Sequence, residues 1–217
     1  MTRKPLRRRI IGLAAVALLG VSAVSCADQG EETTNATNAT PQTDSDGFEI
    51  TPGANQPAEV TGVDLHFLGM MIPHHEQAVE MSDIILAADD TSEASADLAE
   101  RIKVGQEAEI DTMVDWVDQW DQDDVMAKHA LHIADGMLTP EQMDQLEALE
   151  GEEADTLFLQ LMHSHHAGAI PMTKDQIDNG GYQPLVDLAQ QMLDVQTAEM
   201  DEIEQILEAR GEKTLTE

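Results

Sequence analysis

The sequence predicts an all-α protein, a four-helix bundle that is built from a duplicated helical hairpin. Three observations lead to this prediction. From Gly62 onward, apolar residues recur at helical spacing, and no stretch of the sequence alternates as a strand would. Two segments, 70–81 and 161–172, share a methionine, a His-His pair three residues later and a second methionine. A further helical stretch follows each segment, and two hairpins of long helices pack naturally into a four-helix bundle.

The individual helices follow from the periodicity and from capping residues. Four long helices are expected over 62–88, 95–120, 153–178 and 184–210, and one short helix over 140–149. At the start of the short helix, Thr139 suits the N-cap, Pro140 suits the first helical position and Gln142 completes a capping box. Gly180-Gly181 separates the last two long helices.

The two halves of the bundle align with each other. Nine positions of the first helix in each hairpin match in type at an offset of 91 residues. They are Asp64, Phe67, Leu68, Met71, His74, His75, Ala78, Val79 and Met81, which correspond to Asp155, Phe158, Leu159, Met162, His165, His166, Ala169, Ile170 and Met172. The second helices match at an offset of 90, where Gln106–Met113 corresponds to Gln196–Ile203. The sequence therefore predicts an internal repeat whose unit is one hairpin.

The N-terminus predicts a lipoprotein signal peptide over residues 1–25. Five of the 11 Lys and Arg residues lie in the first nine positions, and an apolar run from Ile10 to Leu19 follows. That run is too short for a stable membrane span, and the small residues before Cys26 suit a cleavage site. The stretch resembles a bacterial lipobox, which predicts a lipid anchor at Cys26 on the outer face of the cell membrane. The alternative is an ordinary secretory signal.

Composition divides the rest of the chain and excludes one class of partner. Residues 26–59 are predicted to be a disordered tether, because they are rich in Thr, Asn, Asp, Pro and Gly. Residues 60–217 are predicted to be the folded domain. The chain has 43 Asp and Glu residues against 11 Lys and Arg residues. Such a surface repels nucleic acid and attracts cations, so no nucleic-acid partner is expected.

Several enzyme signatures are absent from the sequence. Di-iron four-helix bundles place Glu three residues before an inward His, and no histidine of this chain has Glu at that position. His75-Glu76 begins the His-Glu-x-x-His pattern of zinc peptidases, but Val79 stands where the second His belongs. The chain also has no Gly-rich phosphate loop and no Ser or Cys nucleophile with a plausible base.

The repeated His and Met residues share one helix face. At about 100° per residue, the repeated side chains of the first segment span an arc of roughly 140°. That width is typical of a buried face, so these side chains are expected to point into the bundle. Imidazole nitrogen and thioether sulfur together favour copper, and Cu(I) in particular. The candidate metal ligands are His74, His75, His165, His166, Met71, Met81, Met162 and Met172.

The second helix of each hairpin adds further candidate metal ligands on one face. They are Gln106, Glu109 and Met113 in the first hairpin, and Gln196 and Glu199 in the second. Ile203 replaces the methionine that stands at Met113, so a sulfur ligand is missing from the second copy. The alternative to a metal site is a polar network in which the His pairs bond to Glu109 and Glu199.

Other residues receive lesser roles. His163 is a candidate to join the second His pair, and His129 with His132 is a candidate for a second metal site. Trp116 and Trp120 lie one turn apart and are expected to pack in the core or at the bundle end.

Four stretches resemble a known family, catalogued as domain of unknown function 305 (DUF305). They are "FLGMMIPHHEQAVEMS", "QEAEIDTMVDWVDQW", "GMLTPEQMDQLEALEG" and "FLQLMHSHHAGAIPM". The resemblance covers about residues 60–210 and implies a ferritin-like helical bundle in a secreted or lipid-anchored bacterial protein. It also implies copper binding, which some members of the family show, with the paired histidines and their flanking methionines as ligands.

The sequence thus predicts an extracytoplasmic lipoprotein that binds copper through His and Met side chains for sequestration or transfer. Two alternatives stay open at this point. One is a ferritin-like, metal-dependent oxidase that uses Glu109 and Glu199 as inward carboxylates. The other is a structural lipoprotein with a polar core and no metal, whose thermal stability no metal would change.

Overall fold

The computed structural model describes residues 53–122 and 134–215, together with the backbone of two short strands before them. Its helices are α1 (Gly62–Ala87), α2 (Glu93–Trp120), α3 (Pro140–Glu147), α4 (Gly151–Asn179) and α5 (Gln183–Arg210). Every predicted helix is present, with each end within two residues of its predicted position. The predicted capping box is confirmed, since Gln142 N donates to Thr139 Oγ1 and Thr139 N donates to Gln142 Oε1.

The segment predicted to be a tether contains some regular structure. Strand β1 (Gln42–Thr43) pairs antiparallel with β2 (Glu49–Ile50), where the sequence had given no sign of a strand. Nearer the bundle, Gln122 Nε2 donates to Gln56 Oε1 at 2.7 Å, which ties this segment to the end of α2. The predicted signal peptide and Cys26 lie outside the described residues. Within the described part of the chain, no helix is long and apolar enough to cross a membrane.

The long helices form a four-helix bundle of two hairpins. Helix α1 packs most extensively against α2, and α4 packs most extensively against α5. The two hairpins meet along α1 and α4, which lie at the centre of the molecule. This arrangement confirms the predicted fold and brings the two His-His segments face to face.

The hydrophobic core has two clusters, one on each side of the histidines. Cluster 1 contains Met71 and Ala169 and extends to Trp120. Cluster 2 contains Ala78 and Met162 and extends to the opposite end of the bundle. On each central helix the His pair lies between a residue of cluster 1 and a residue of cluster 2, so the four histidines form a polar layer between two apolar ones.

Each hairpin is fastened to the other by a buried aspartate at the start of its first helix. Asp64 accepts hydrogen bonds from Thr61 N (2.7 Å), Gly181 N (3.0 Å) and Gln176 Nε2 (2.7 Å), so it joins the start of α1 to the α4–α5 turn. Asp155 accepts from Ser92 N (3.1 Å) and Arg210 Nη2 (3.1 Å), which joins the start of α4 to the α1–α2 turn. Asp64 and Asp155 are equivalent positions of the repeat, but no function was predicted for them from the sequence.

The second helices repeat the same burial pattern. Residues 101–119 of α2 and the residues 90 positions later in α5 have the same burial class (buried, half-buried or exposed) at every position. One end of the bundle is closed by aromatic packing, in which Trp116 and Trp120 stack with ring centroids 6.2 Å apart and Tyr182 meets both edge-on. The predicted packing role of the two tryptophans is therefore confirmed.

Candidate metal centre

Four histidines meet at the centre of the bundle. His74 and His75 lie on α1, His165 and His166 lie on α4, and each is at most 1% exposed. Their helices approach closely because small residues, Ala78 and Ala169, follow one turn after each pair and are fully buried. The predicted inward face is confirmed for all four histidines. They are referred to below as the histidine layer.

The inner pair, His74 and His165, is in direct contact across the two hairpins. The ring centroids lie 3.7 Å apart and the ring planes are inclined by 33°. These two residues occupy equivalent positions in the repeat, so the approximate twofold axis of the bundle passes between them. Equivalent histidines of the two copies thus form one shared layer rather than two separate ones.

Burial keeps the inner pair uncharged at neutral pH. Desolvation, reinforced by the neighbouring His75 and His166, lowers the pKa of His74 from 6.5 to about 3. Desolvation and the facing His74 likewise lower the pKa of His165 well below 6.5. A neutral imidazole carries a lone pair on one ring nitrogen, which is the form that binds a metal ion.

The outer pair is held by carboxylates of the second helices. His75 Nε2 lies 2.8 Å from Glu109 Oε2, and His166 Nε2 lies 2.7 Å from Glu199 Oε2. A carboxylate only accepts, so Nε2 of each ring carries a proton, and in the neutral form of the ring Nδ1 has a lone pair for a metal ion. The alternative prediction was a polar network in which both histidines of each pair bond to Glu109 or Glu199. Only the outer histidine of each pair does so. This contact is also the arrangement by which a carboxylate orients a metal-binding histidine.

Six imidazole nitrogens of the layer have no hydrogen-bond partner in the described part of the chain. They are both nitrogens of His74 and His165, and Nδ1 of His75 and His166. The backbones of Asp135 and His165 lie close enough to the His74 ring to raise its pKa slightly, but neither forms a hydrogen bond of regular geometry with it. Buried polar atoms are nearly always paired, because an unpaired one costs roughly 1–3 kcal/mol. So many unpaired nitrogens in one layer indicate a site for a ligand.

The methionines lie above and below the histidine layer. Met71 is buried in cluster 1, and Met81 and Met162 are buried in cluster 2, all with no exposed surface. Met172 differs from its counterpart Met81, since it is half-buried and packs against the edge of cluster 1. Three of the four predicted methionines therefore face the interior.

A narrow cleft between α2 and α5 leads toward the histidine layer. Its volume is about 40 Å³, and both predicted Gln-Glu pairs line it: Gln106, Glu109, Gln196 and Glu199. Amide atoms of both glutamines are buried without a partner among the described residues. Met192 also lines this cleft and is fully buried, although the sequence analysis overlooked it. Its position one turn before Gln196 was the available signal.

On the opposite side, a strap of residues 134–138 crosses the layer. Gly136 adopts a φ of 84°, and a Cβ on Gly168 would lie 2.1 Å from Asp135 O, so only glycine allows the strap to pass this close to α4. Gln77 of α1 holds the strap by exchanging hydrogen bonds with the backbone of Leu138 at 2.7 and 3.1 Å. No pattern in the sequence had indicated this strap.

The side chains of the layer do not converge on one point in this arrangement. In residues 53–122 and 134–215, no three His, Cys, Asp or Glu side chains are placed to hold a metal ion together. The inner rings instead contact each other, with their planes inclined by 33°. A metal ion would be held here after rotation of an imidazole, or with thioether sulfur as part of the ligand set.

The family model described as Domain of unknown function (DUF305) matches residues 64–207. The chain belongs to the DUF305 family. A DUF305 protein of Streptomyces coelicolor, named as a secreted protein, is 31% identical, with a TM-score of 0.65 over 74% of this chain and 100% of its own. A DUF305 fragment of Deinococcus radiodurans is 27% identical, with a TM-score of 0.60 over 69% and 98%.

This DUF305 chain is also similar in structure to CopM. CopM in its Cu(II)-bound form is 25% identical, with a TM-score of 0.55 over 67% of this chain and 97% of CopM. CopM is also known in Cu(I)-bound and Ag-bound forms. No curated protein matches the chain.

Other predicted residues lie away from the histidine layer. His163 Nε2 is 3.1 Å from Glu204 Oε1 at the surface, so this histidine does not join the central pair. His66 and Met172 line a separate cavity at the start of α1. His129 and His132, proposed as a second metal site, lie outside the described residues.

Proposed function

We propose that this DUF305 protein binds copper in the histidine layer and carries the ion as its cargo, with Cu(I) favoured. The observation that supports this most strongly is the set of six buried imidazole nitrogens that lack a partner in the described part of the chain. A protein gains stability when such atoms bind a ligand in the native state. The layer is therefore better suited to a bound ion than to an empty polar core.

The chemistry of the surrounding atoms favours copper. His74 and His165 are neutral because burial lowers the pKa of both, so ligation displaces no proton from either ring. Glu109 and Glu199 orient the outer rings with Nδ1 facing away from the carboxylate. Methionine sulfur above and below the layer supplies soft donors, which select Cu(I) over hard cations.

The structural similarity to CopM gives separate support for copper as the ligand. CopM has a similar fold and is known with Cu(I), Cu(II) and Ag bound. Ag(I) is a soft monovalent cation, as Cu(I) is, and both suit thioether and imidazole ligands. For this chain we carry over only the class of metal, and the ligand residues are argued from its own geometry.

The proposed place of action is outside the cell membrane. Cys26 would be lipidated after cleavage of the signal peptide, and the tether would hold the domain away from the membrane. The chain has 43 Asp and Glu residues against 11 Lys and Arg residues, and this excess of negative charge would attract cations, among which the histidine layer would then select. The protein would sequester copper or pass it to a partner in this compartment.

The two alternatives have weaker support. An oxidase would use Glu109 and Glu199 to hold a redox metal, but each carboxylate is engaged by one histidine. Oxygen consumption with Fe(II) or Cu(I) would favour the oxidase. A metal-free structural lipoprotein would leave the inner rings unpaired with no compensating gain. Thermal stability that no metal changes would favour that alternative.

The test is an anaerobic titration of Cu(I) against a colorimetric chelator. All proteins carry Cys26→Ser, because a free thiolate would bind Cu(I) by itself. The test variant is His74→Leu/His165→Leu, which removes the inner pair and keeps the site apolar. We expect the affinity for the tightest Cu(I) to fall at least about 100-fold, which corresponds to about 2.7 kcal/mol.

The matched control is His163→Leu, which removes a histidine of α4 that bonds to Glu204 at the surface. It should bind Cu(I) as tightly as the parent protein. Equal affinity in the parent and the inner-pair variant, with both variants folded by circular dichroism, would contradict the proposal.

A further inference from the structure

A second group of soft donors lies outside the histidine layer. A cavity of about 210 Å³ opens at the surface between the start of α1 and the end of α4. His66 and Met70 line it from α1, and Met172 lines it from α4. His66 and Met70 are four residues apart and share one helix face. One imidazole and two thioethers therefore surround a single space that solvent can enter.

We propose that this cavity is a second binding site for a soft monovalent cation, Cu(I) or Ag(I), held by His66, Met70 and Met172. Thioether and imidazole are the ligands that such ions prefer, and two or three of them are enough. Phe67 and Val63 form the apolar wall, which disfavours strongly hydrated divalent ions. Asp175, exposed at the rim, adds a negative charge that attracts a cation.

The second copy of the repeat does not have the same side chains at the positions that line this cavity. At an offset of 91 residues, Leu157 and Leu161 stand where the cavity has His66 and Met70. Met81, the counterpart of Met172, is fully buried in cluster 2. A cavity also opens at the other end, where it is lined by Glu80 and Ile84, the counterparts of Pro171 and Asp175, but by no histidine or methionine. The soft donors thus occur at one end and are missing at the equivalent positions of the other.

A residue that lines this cavity also has a buried polar atom that lacks a partner in the described part of the chain. Gln176 lines the cavity and is fully buried. Its Nε2 donates to Asp64, while its Oε1 has no partner among the described residues. Neither this atom nor the three soft donors belong to the histidine layer, so the second site stands independently of the proposed function.

The experiment is a titration of the full chain, in the Cys26→Ser background, with silver nitrate and with Cu(I). Methionine methyl groups are labelled with ¹³C, and the signals of Met70 and Met172 are assigned from single Leu variants. We expect both signals to shift together as one equivalent of Ag(I) binds. Met70→Leu/Met172→Leu should lose one equivalent of Cu(I), whereas Met143→Leu, a control in α3, should lose none.

The same titration in His74→Leu/His165→Leu separates the two proposals. If the second site exists, Met70 and Met172 still shift in this variant, whether or not the histidine layer binds copper. Signals of Met70 and Met172 that stay in place at saturation would overturn the second site. An unchanged stoichiometry in Met70→Leu/Met172→Leu would overturn it as well, and the labelled parent protein gives an answer even if that variant folds poorly.

Discussion

At the centre of the bundle the two hairpins present the same side chains, whereas at the ends they present different ones. His74 faces its own equivalent, His165, at 3.7 Å, and the outer histidines make matching hydrogen bonds to Glu109 and Glu199. At one end a cavity carries His66, Met70 and Met172, and the equivalent positions of the other end carry two leucines and a buried methionine.

Symmetry explains the difference. A residue near the twofold axis contacts its own copy, so both copies contribute to one site and a change in either affects it. A residue far from the axis belongs to its own end only, and each end is free to differ. The four histidines of the doubled segment therefore lie in one shared layer rather than in two separate ones.

The largest expected effect comes from the aspartates that join the hairpins, which differ between the copies. Asp64 accepts from three backbone amides and two side chains, and Asp155 accepts from one backbone amide and Arg210. We expect Asp64→Ala to lower the free energy of unfolding by roughly 3–5 kcal/mol and Asp155→Ala by roughly 1–3 kcal/mol. Urea denaturation of the metal-free protein measures both, and equal losses would contradict the asymmetry.

The next effect is a pH dependence of the metal-free protein. His74 has a pKa of about 3 in the folded state and 6.5 when unfolded, so the unfolded chain binds more protons between these values. Stability should therefore fall as the pH falls below 6.5, and the same holds for His165. Between pH 7 and 5.5 the two rings together should lower the free energy of unfolding by about 2–3 kcal/mol.

The readout for this pH effect is a difference between proteins. The chain has 43 acidic residues, whose titration also changes stability, so the parent is compared with His74→Leu/His165→Leu at each pH. A difference in unfolding free energy that stays constant from pH 7 to 5.5 would show that the inner rings do not titrate as described.

A smaller effect is expected at pH 7.5 for the same variant. Leucine at both inner positions removes four buried nitrogens that lack partners in the described structure. The metal-free protein should gain about 1–2 kcal/mol of stability, while its stabilisation by Cu(I) is lost. His163→Leu serves as the control and should change stability by less than about 0.5 kcal/mol. A marked loss of stability in the inner-pair variant would instead support a structural role for the two rings.

The smallest expected effect is the difference in lost stability between two equivalent substitutions, one in each hairpin. Glu109→Ala and Glu199→Ala each remove the carboxylate that bonds to one buried histidine. Each should cost about 1–2 kcal/mol, and the two losses should agree within about 0.5 kcal/mol. Denaturation curves that differ by more than this would show that the central symmetry does not extend to the energetics.

Much of the fold and of the histidine layer could be predicted because the sequence contains an internal repeat. The offset of 91 identified α1 and α4 as equivalent helices, and the helical wheel placed His74 and His165 on their buried faces. Helical periodicity gives the direction of a side chain but not the element that it meets. The sequence therefore left open whether His74 would meet His165 or Glu109.

The features that escaped prediction depend on long-range contacts. The strap over the layer requires Gly136 to meet Gly168, 32 positions apart, and nothing local in either stretch reveals that contact. Met172 is the counterpart of Met81, yet it is half-buried and lines a cavity with His66 and Met70, whose counterparts are Leu157 and Leu161. The burial of a methionine depends on residues of another helix, which its neighbours in sequence do not reveal.

The most direct test of the central claim is anomalous diffraction at the copper edge from crystals of the Cu(I)-loaded protein grown without oxygen. We predict a strong peak between α1 and α4, next to imidazole nitrogens of His74 or His165, with the inner rings no longer in direct contact. Copper found only on surface carboxylates, with the inner rings still in contact as in the metal-free protein, would contradict the proposal that the histidine layer is a metal site.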